Sequence, residues 1–199
     1  MKKVYLVYCL LFGSYFSLFA QSKSIKEAYS DFTVNRTNPV TAKIIAETLA
    51  LYKRTDELTA KQVTSVAYHL GKMYEETENP NEAIIYYEQS LKGEPNYFVP
   101  HRALGFIYLN KSKVFADQMR AANQAKDVAA YTKAKDEYKL VMLKSIPHLE
   151  KYQACEPDDE TLAIITSFYK FIKDTQSLSS MEARFKVLSE KCVSLLDDE

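Results

Sequence analysis

A repeat at a fixed spacing constrains this chain more than any other feature. Leu70-Gly71-x2-Tyr74 returns as Leu104-Gly105-x2-Tyr108, with all three positions displaced by one constant interval. An interval of about 34 residues marks stacked helical units, each unable to bury its apolar face without a neighbour. Leu70 and Tyr74 lie four apart, on one face of one helix. Gly71 has no side chain there, which lets a second helix approach, at about 1 kcal/mol of helix propensity relative to Ala. Ala83 and Tyr87 form the matching small and large pair on that second helix, with Asn79-Pro80 as its cap and first residue. Glu94-Pro95-Asn96 turns the chain into the next unit.

These residues resemble the tetratricopeptide repeat (TPR) family, and in particular its exported bacterial-type members. The matching motif is Leu70, Gly71, Tyr74, Ala83, Tyr87 and Pro95, then Leu104, Gly105 and Tyr108. Ala67 and His101 stand where the family prefers Trp. The resemblance covers residues 64–159 well and the flanks weakly. It implies an all-α, TPR-like α-solenoid of antiparallel helix pairs, with the first helix of each pair lining a concave groove. Slots facing that groove fall on Tyr68, Lys72, Arg102, Phe106 and Leu109, with Ser65, Glu75 and Val99 beside them and Thr161, Ile164 and Phe168 more loosely. This mixture of aromatic area and cationic heads suits a peptide or partner helix; the competing reading is ordinary repeat-face residues. Tyr68 stands where the carboxylate-gripping subset of the family carries a Lys, and the Asn of that subset is missing.

Composition agrees with helix: Gly numbers only 4 in 199 residues, while Lys, Glu, Ala and Leu are abundant. The formal net charge is zero, which argues against nonspecific nucleic-acid binding, since that needs a concentrated positive field. Met1-Lys2-Lys3, an apolar run over Val4–Phe19 and a small residue at Ala20 read as an export signal over residues 1–20, with the mature chain periplasmic or extracellular. An uncleaved anchor, a core helix and a lipid anchor on Cys9 are the competing readings, and the membrane enters only through this segment. Cleavage after Ala20 leaves 26 − 2 = 24 basic and 26 acidic residues, net −2. It also leaves an even pair of cysteines, Cys155 and Cys192, in an oxidising compartment.

The remaining chain divides into an amino-terminal helical hairpin over residues 22–58, repeats over 59–95 and 96–156, and a carboxy-terminal helix pair over 157–196. Thr59-x2-Gln62 is a capping box. In the second repeat the period puts Asp117 where Ala belongs; the fitting pattern, Ala134-x3-Tyr138, comes half a period late. No Gly or Pro occurs over 111–133, so both helices are expected to lengthen by about eight residues, roughly 12 Å, into a protruding hairpin. Its turn is expected near Asn123–Asp127, its second helix over Val128–Cys155, and Pro147 is expected to kink that helix without stopping it. Lys111, Lys113, Arg120, Lys126, Lys133, Lys135 and Lys139 make the hairpin mildly basic; a solvated face and a dock for an acidic partner or an anionic membrane surface are both open. Asp174–Leu178 is expected as a turn, and Ser179-x2-Glu182 as a capping box opening a last helix through Val193 and Leu196.

Cys155 and Cys192 sit at the ends of equivalent helices in adjacent units, which brings a disulfide into reach; two separated thiols are the alternative. Such a bond would contribute roughly 3 to 4 kcal/mol through loop closure. His69, His101 and His148 show no metal-ligand spacing, and no phosphate loop, dinucleotide fingerprint or nucleophile motif occurs. No catalytic residue, metal or cofactor is therefore expected. The expected function is a protein-protein interaction scaffold or adaptor of the cell envelope. An accessory subunit of an envelope enzyme with unrecognised chemistry is the alternative, and a stacked homo-oligomer a third reading.

Overall fold

The computed structural model describes residues 23–194 and residue 196. The export signal expected over 1–20, with Cys9, and the acidic end at Asp197–Glu199 lie outside the described residues. Among those residues the chain is all helical, with no strand, and its helices pack in pairs.

Capping side chains explain where most helices begin. α1 (Ile25–Asn35) opens on a capping box of Ser24 and Glu27, and α2 (Ala42–Tyr52) on Thr41. α3 (Ala60–Glu76) opens on the expected box, the Gln62 amide donating to Thr59 Oγ1 and Gln62 Oε1 accepting from the Thr59 amide. α4 (Pro80–Gly93) starts on Pro80, but the Asn79 side chain does not cap it; its Nδ2 instead donates to the Thr77 carbonyl at 2.7 Å. α5 (Phe98–Ala125) and α6 (Val128–Cys155) form the long hairpin. Its turn is made by Lys126 in the left-handed region at φ 56°, followed by Asp127, whose carboxylate accepts from the Ala130 amide at 2.9 Å.

The hairpin is longer than the sequence pattern implies. α5 has 28 residues against 17 in α3, and α6 has 28 against 14 in α4, so the extensions are 11 and 14 residues rather than eight each. The residue that meets Gly105 as Tyr87 meets Gly71 is Leu149, not Tyr138. Tyr138 precedes Leu149 by close to three whole turns, so the small-large pattern at Ala134 and Tyr138 lies on the same face nearer the tip. α6 continues as helix through Pro147.

α7 (Asp159–Phe171) is capped by Asp158, which accepts from the Thr161 amide at 2.8 Å. The expected turn after it is a short helix, α8 (Thr175–Ser179), because Asp174 accepts from the Ser177 amide and starts helix there. The expected Ser179–Glu182 box does not form. Ser180 takes the cap position of α9 (Met181–Ser189), with no side-chain cap bond, and donates its hydroxyl to the Gln176 carbonyl. α9 also ends at Ser189 instead of running through Val193. Lys151 Nζ binds the carbonyls of Leu188 and Lys191, and the chain leaves the helix toward Cys192.

The core follows chain order in three clusters. Phe32, Leu51, Val66 and Leu70 join α1 and α2 to α3. Ala83, Tyr87, Leu104 and Ile107 join α4 to α5. Met142, Ile146, Leu149, Ile165 and Phe168 join α6 to α7. The two glycines act as the close-approach points. A Cβ on Gly71 would lie 2.6 Å from the Tyr87 ring, and one on Gly105 would lie 2.5 Å from Leu149 Cδ2. Tyr74 stacks on Tyr86 at 5.5 Å, and Tyr108 on His148 at 6.4 Å.

Candidate partner-binding surface

The expected groove residues occupy one side of α3 and α5 but do not share one depression. Tyr68, half-buried, packs on Tyr97 with ring centroids 4.9 Å apart. It lines a cleft of about 390 Å³ with Arg36, Val99, Ser194 and Leu196. Lys72 is exposed, ion-pairs with Glu76 at 3.5 Å, and borders a more polar pocket beside Arg36 and His69. The Arg102 guanidinium lies over two rings, Phe106 at 5.3 Å and Tyr152 at 5.6 Å. This contact is a cation–π clasp on the protein's own aromatics. Phe106 in turn packs against the α6–α7 core.

Leu109 belongs to a third and larger depression of about 550 Å³, between the projecting half of α5 and α7. Its α7 wall is one helical stripe: Glu160, Ala163, Ile164, Ser167, Phe168 and Phe171, spaced by three and four residues. Leu109, Ala116 and Met119 supply the α5 wall, and Tyr138 the floor toward α6. The lining is predominantly apolar, and Lys135 Nζ sits 5.9 Å over the Phe171 ring at one end. Lengthening of α5 creates this groove, since Ala116 and Met119 lie beyond the residue where α5 would stop at the length of α3.

Two polar sites escape sequence reading. His101 and His148 meet between α5 and α6, Nδ1 to Nδ1 at 2.9 Å. His101 Nε2 lies 3.1 Å from the Pro95 carbonyl, which can only accept, so Nε2 carries the hydrogen. His101 Nδ1 is then the acceptor and His148 Nδ1–H the donor. Burial pushes the His148 imidazole down to about 4, with its neighbour His101 adding to the shift, and burial also lowers His101. The second site is a buried carboxylate, Glu150, which accepts from the Tyr169 hydroxyl at 2.9 Å and is ion-paired with Arg184. Desolvation and the Glu150 charge push the Tyr169 phenol up to about 12. The fold also joins Cys155 to Cys192 in a disulfide, Cα to Cα 5.7 Å.

Among the described residues no cluster of three His, Cys, Asp or Glu side chains is placed to hold a metal ion, and no helix is long and apolar enough to cross a membrane. No protein-family model matches the chain, and no curated protein or solved structure is significantly similar to it.

Proposed function

We propose that this chain is a TPR-like solenoid scaffold that binds a partner protein through the side formed by α3, α5 and α7. The observation that carries the proposal is the apolar groove between α5 and α7. From Glu160 to Phe171 it runs about 16 Å along α7 at the rise of an α-helix. That length and its apolar walls suit about three turns of a partner helix presenting residues at i, i+3, i+4 and i+7. The constant interval between the two Leu-Gly motifs and the close contacts at Gly71 and Gly105 support the repeat reading. The same proposal has the chain exported, cut near Ala20 and acting outside the cytoplasm; the Cys155–Cys192 disulfide supports it, because such bonds persist in oxidising compartments.

Ala163 and Ser167 are exposed groove residues outside the buried core, so Ala163→Glu with Ser167→Glu blocks the groove while leaving the fold intact. A photo-crosslinker at position 119 in cells is expected to capture a partner from the native chain and to lose it in the double variant. Capture of the same partner from both proteins would refute the groove reading.

A further inference from the structure

The cleft at Tyr68 is walled on one side by the chain's own carboxy-terminal stretch. Beyond α9, Val193 pairs in parallel with the segment before α5: its amide donates to the Asn96 carbonyl at 2.9 Å, and its carbonyl accepts from the Phe98 amide at 3.0 Å. Ser194 and Leu196 then line the cleft with Tyr68, Tyr97 and Val99. Immediately before this strap, Cys192 is bonded to Cys155 at the end of α6. We propose that the strap carrying Val193, Ser194 and Leu196 is an intramolecular plug of the α3–α5 cleft, and that the Cys155–Cys192 disulfide is its latch, opened by a dithiol reductant.

Anchoring of the surrounding elements separates latch from body. α9 is docked without the disulfide, through Arg184 on Glu150 and through Lys151 on the carbonyls of Leu188 and Lys191. What the disulfide adds is the position of Cys192, one residue from the pairing at Val193. While the bond is closed, Val193 is held beside Asn96 at high effective concentration. Once it opens, the pairing at Val193 rests on backbone hydrogen bonds that compete with water, while Lys151 still holds the Lys191 carbonyl before it.

Access favours reduction from the strap side, because Cys192 is exposed and Cys155 half-buried. One thiolate of the dithiol attacks Cys192 Sγ, forming a mixed disulfide and releasing Cys155 as a thiolate. The second thiol of the reductant then displaces Cys192, leaving the reductant as its disulfide; two electrons pass and both cysteines end as thiols. The cleft so opened presents Tyr68, Tyr97 and Val99 beside the free backbone groups of Asn96 and Phe98. It therefore accepts an extended peptide by parallel strand pairing, the chemistry of the plug it has lost.

Hydrogen exchange on the full chain, oxidised and then reduced with dithiothreitol, tests the latch. The amides of Phe98 and Val193 are expected to exchange at least about tenfold faster after reduction, with helical circular dichroism unchanged. Equal exchange at both amides would overturn the proposal. So would a global loss of helix, since the disulfide would then be holding the body of the fold. Val193→Pro removes the donor to Asn96 with the disulfide intact, and is expected to speed exchange at Phe98 in the oxidised chain. Independently, a labelled peptide copying Val193–Glu199 is expected to bind a chain truncated after Lys191 and not the oxidised full chain. Failure to bind the truncated chain, or equal binding to both, would refute the plug.

Discussion

Acid should loosen the joint between α5 and α6 through the histidine pair. His148 titrates near 6.5 when unfolded and at about 4 in the fold, where burial and His101 disfavour its charged form. Above pH 6.5 both states are neutral and stability is unaffected. Between pH 6.5 and 4 the unfolded chain takes up a proton that the folded chain refuses, so stability falls with pH at up to about 1.4 kcal/mol per unit. Below pH 4 the loss is complete, at about 3 kcal/mol for His148 alone, with His101 adding in the same direction. The groups around the pair are Lys151, which disfavours charge on His101, and Tyr108, which stacks on His148, sits under Lys144 and bonds Glu88. None is a carboxylate bonded directly to either ring. His148→Asn keeps a side-chain amide able to donate toward His101 and removes the titrating group. Urea unfolding followed by circular dichroism from pH 7.5 to 4 should show the native profile falling more steeply than that of the variant, the gap changing by about 3 kcal/mol. Carboxylates with lowered values, such as Asp174, titrate in both proteins and cancel from that difference. Parallel profiles would refute the assignment.

Gly105→Ala places a methyl 2.5 Å from Leu149 Cδ2 and 3.3 Å from the Leu149 amide nitrogen. It should cost about 1 to 3 kcal/mol despite its gain in helix propensity, measured by thermal unfolding. Leu149→Ala, at a fully buried position, should cost about 2 to 5 kcal/mol in the same assay. Arg184→Met leaves the Glu150 carboxylate buried beside Tyr169 without its cation, and should cost about 3 kcal/mol or more. Adding Glu150→Gln to that variant should restore part of the loss, because the stranded charge disappears; no recovery in the double variant would show that Arg184 acts by packing alone.

What was legible in the sequence is what depends on neighbours along the chain, and what was not depends on register between distant helices. Leu70, Gly71 and Tyr74 announce a helix-pair contact because the three positions adjoin on one side of the helix and the glycine needs a partner. Thr59 with Gln62 announces a helix start because both bonds of the box close within a single turn. Ala134 and Tyr138 misled for a geometric reason. A pattern displaced by three turns returns to nearly the same face, so periodicity alone cannot say which turn of a long helix meets Gly105. Once Leu149 is fixed against Gly105, the rest of the antiparallel register follows: Ser145 bonds the Gly105 carbonyl at 2.8 Å, and His148 falls opposite His101. The histidine pair was thus hidden by the same three turns. The groove depends on length in a similar way. Had α5 kept the length of α3, it would end at Val114, and neither Ala116 nor Met119 would stand across the opening from Phe168 and Phe171; the extra turns of α5 are what make a repeat face into a walled depression. A deletion of one heptad from each arm of the hairpin, residues 115–121 with 132–138, therefore removes Ala116, Met119 and Tyr138 from the groove while sparing Leu109, Gly105 and Leu149. Partner capture should vanish from that chain while its helical signal per residue and its cooperative unfolding persist, and retained capture would place the binding surface elsewhere than beside α7.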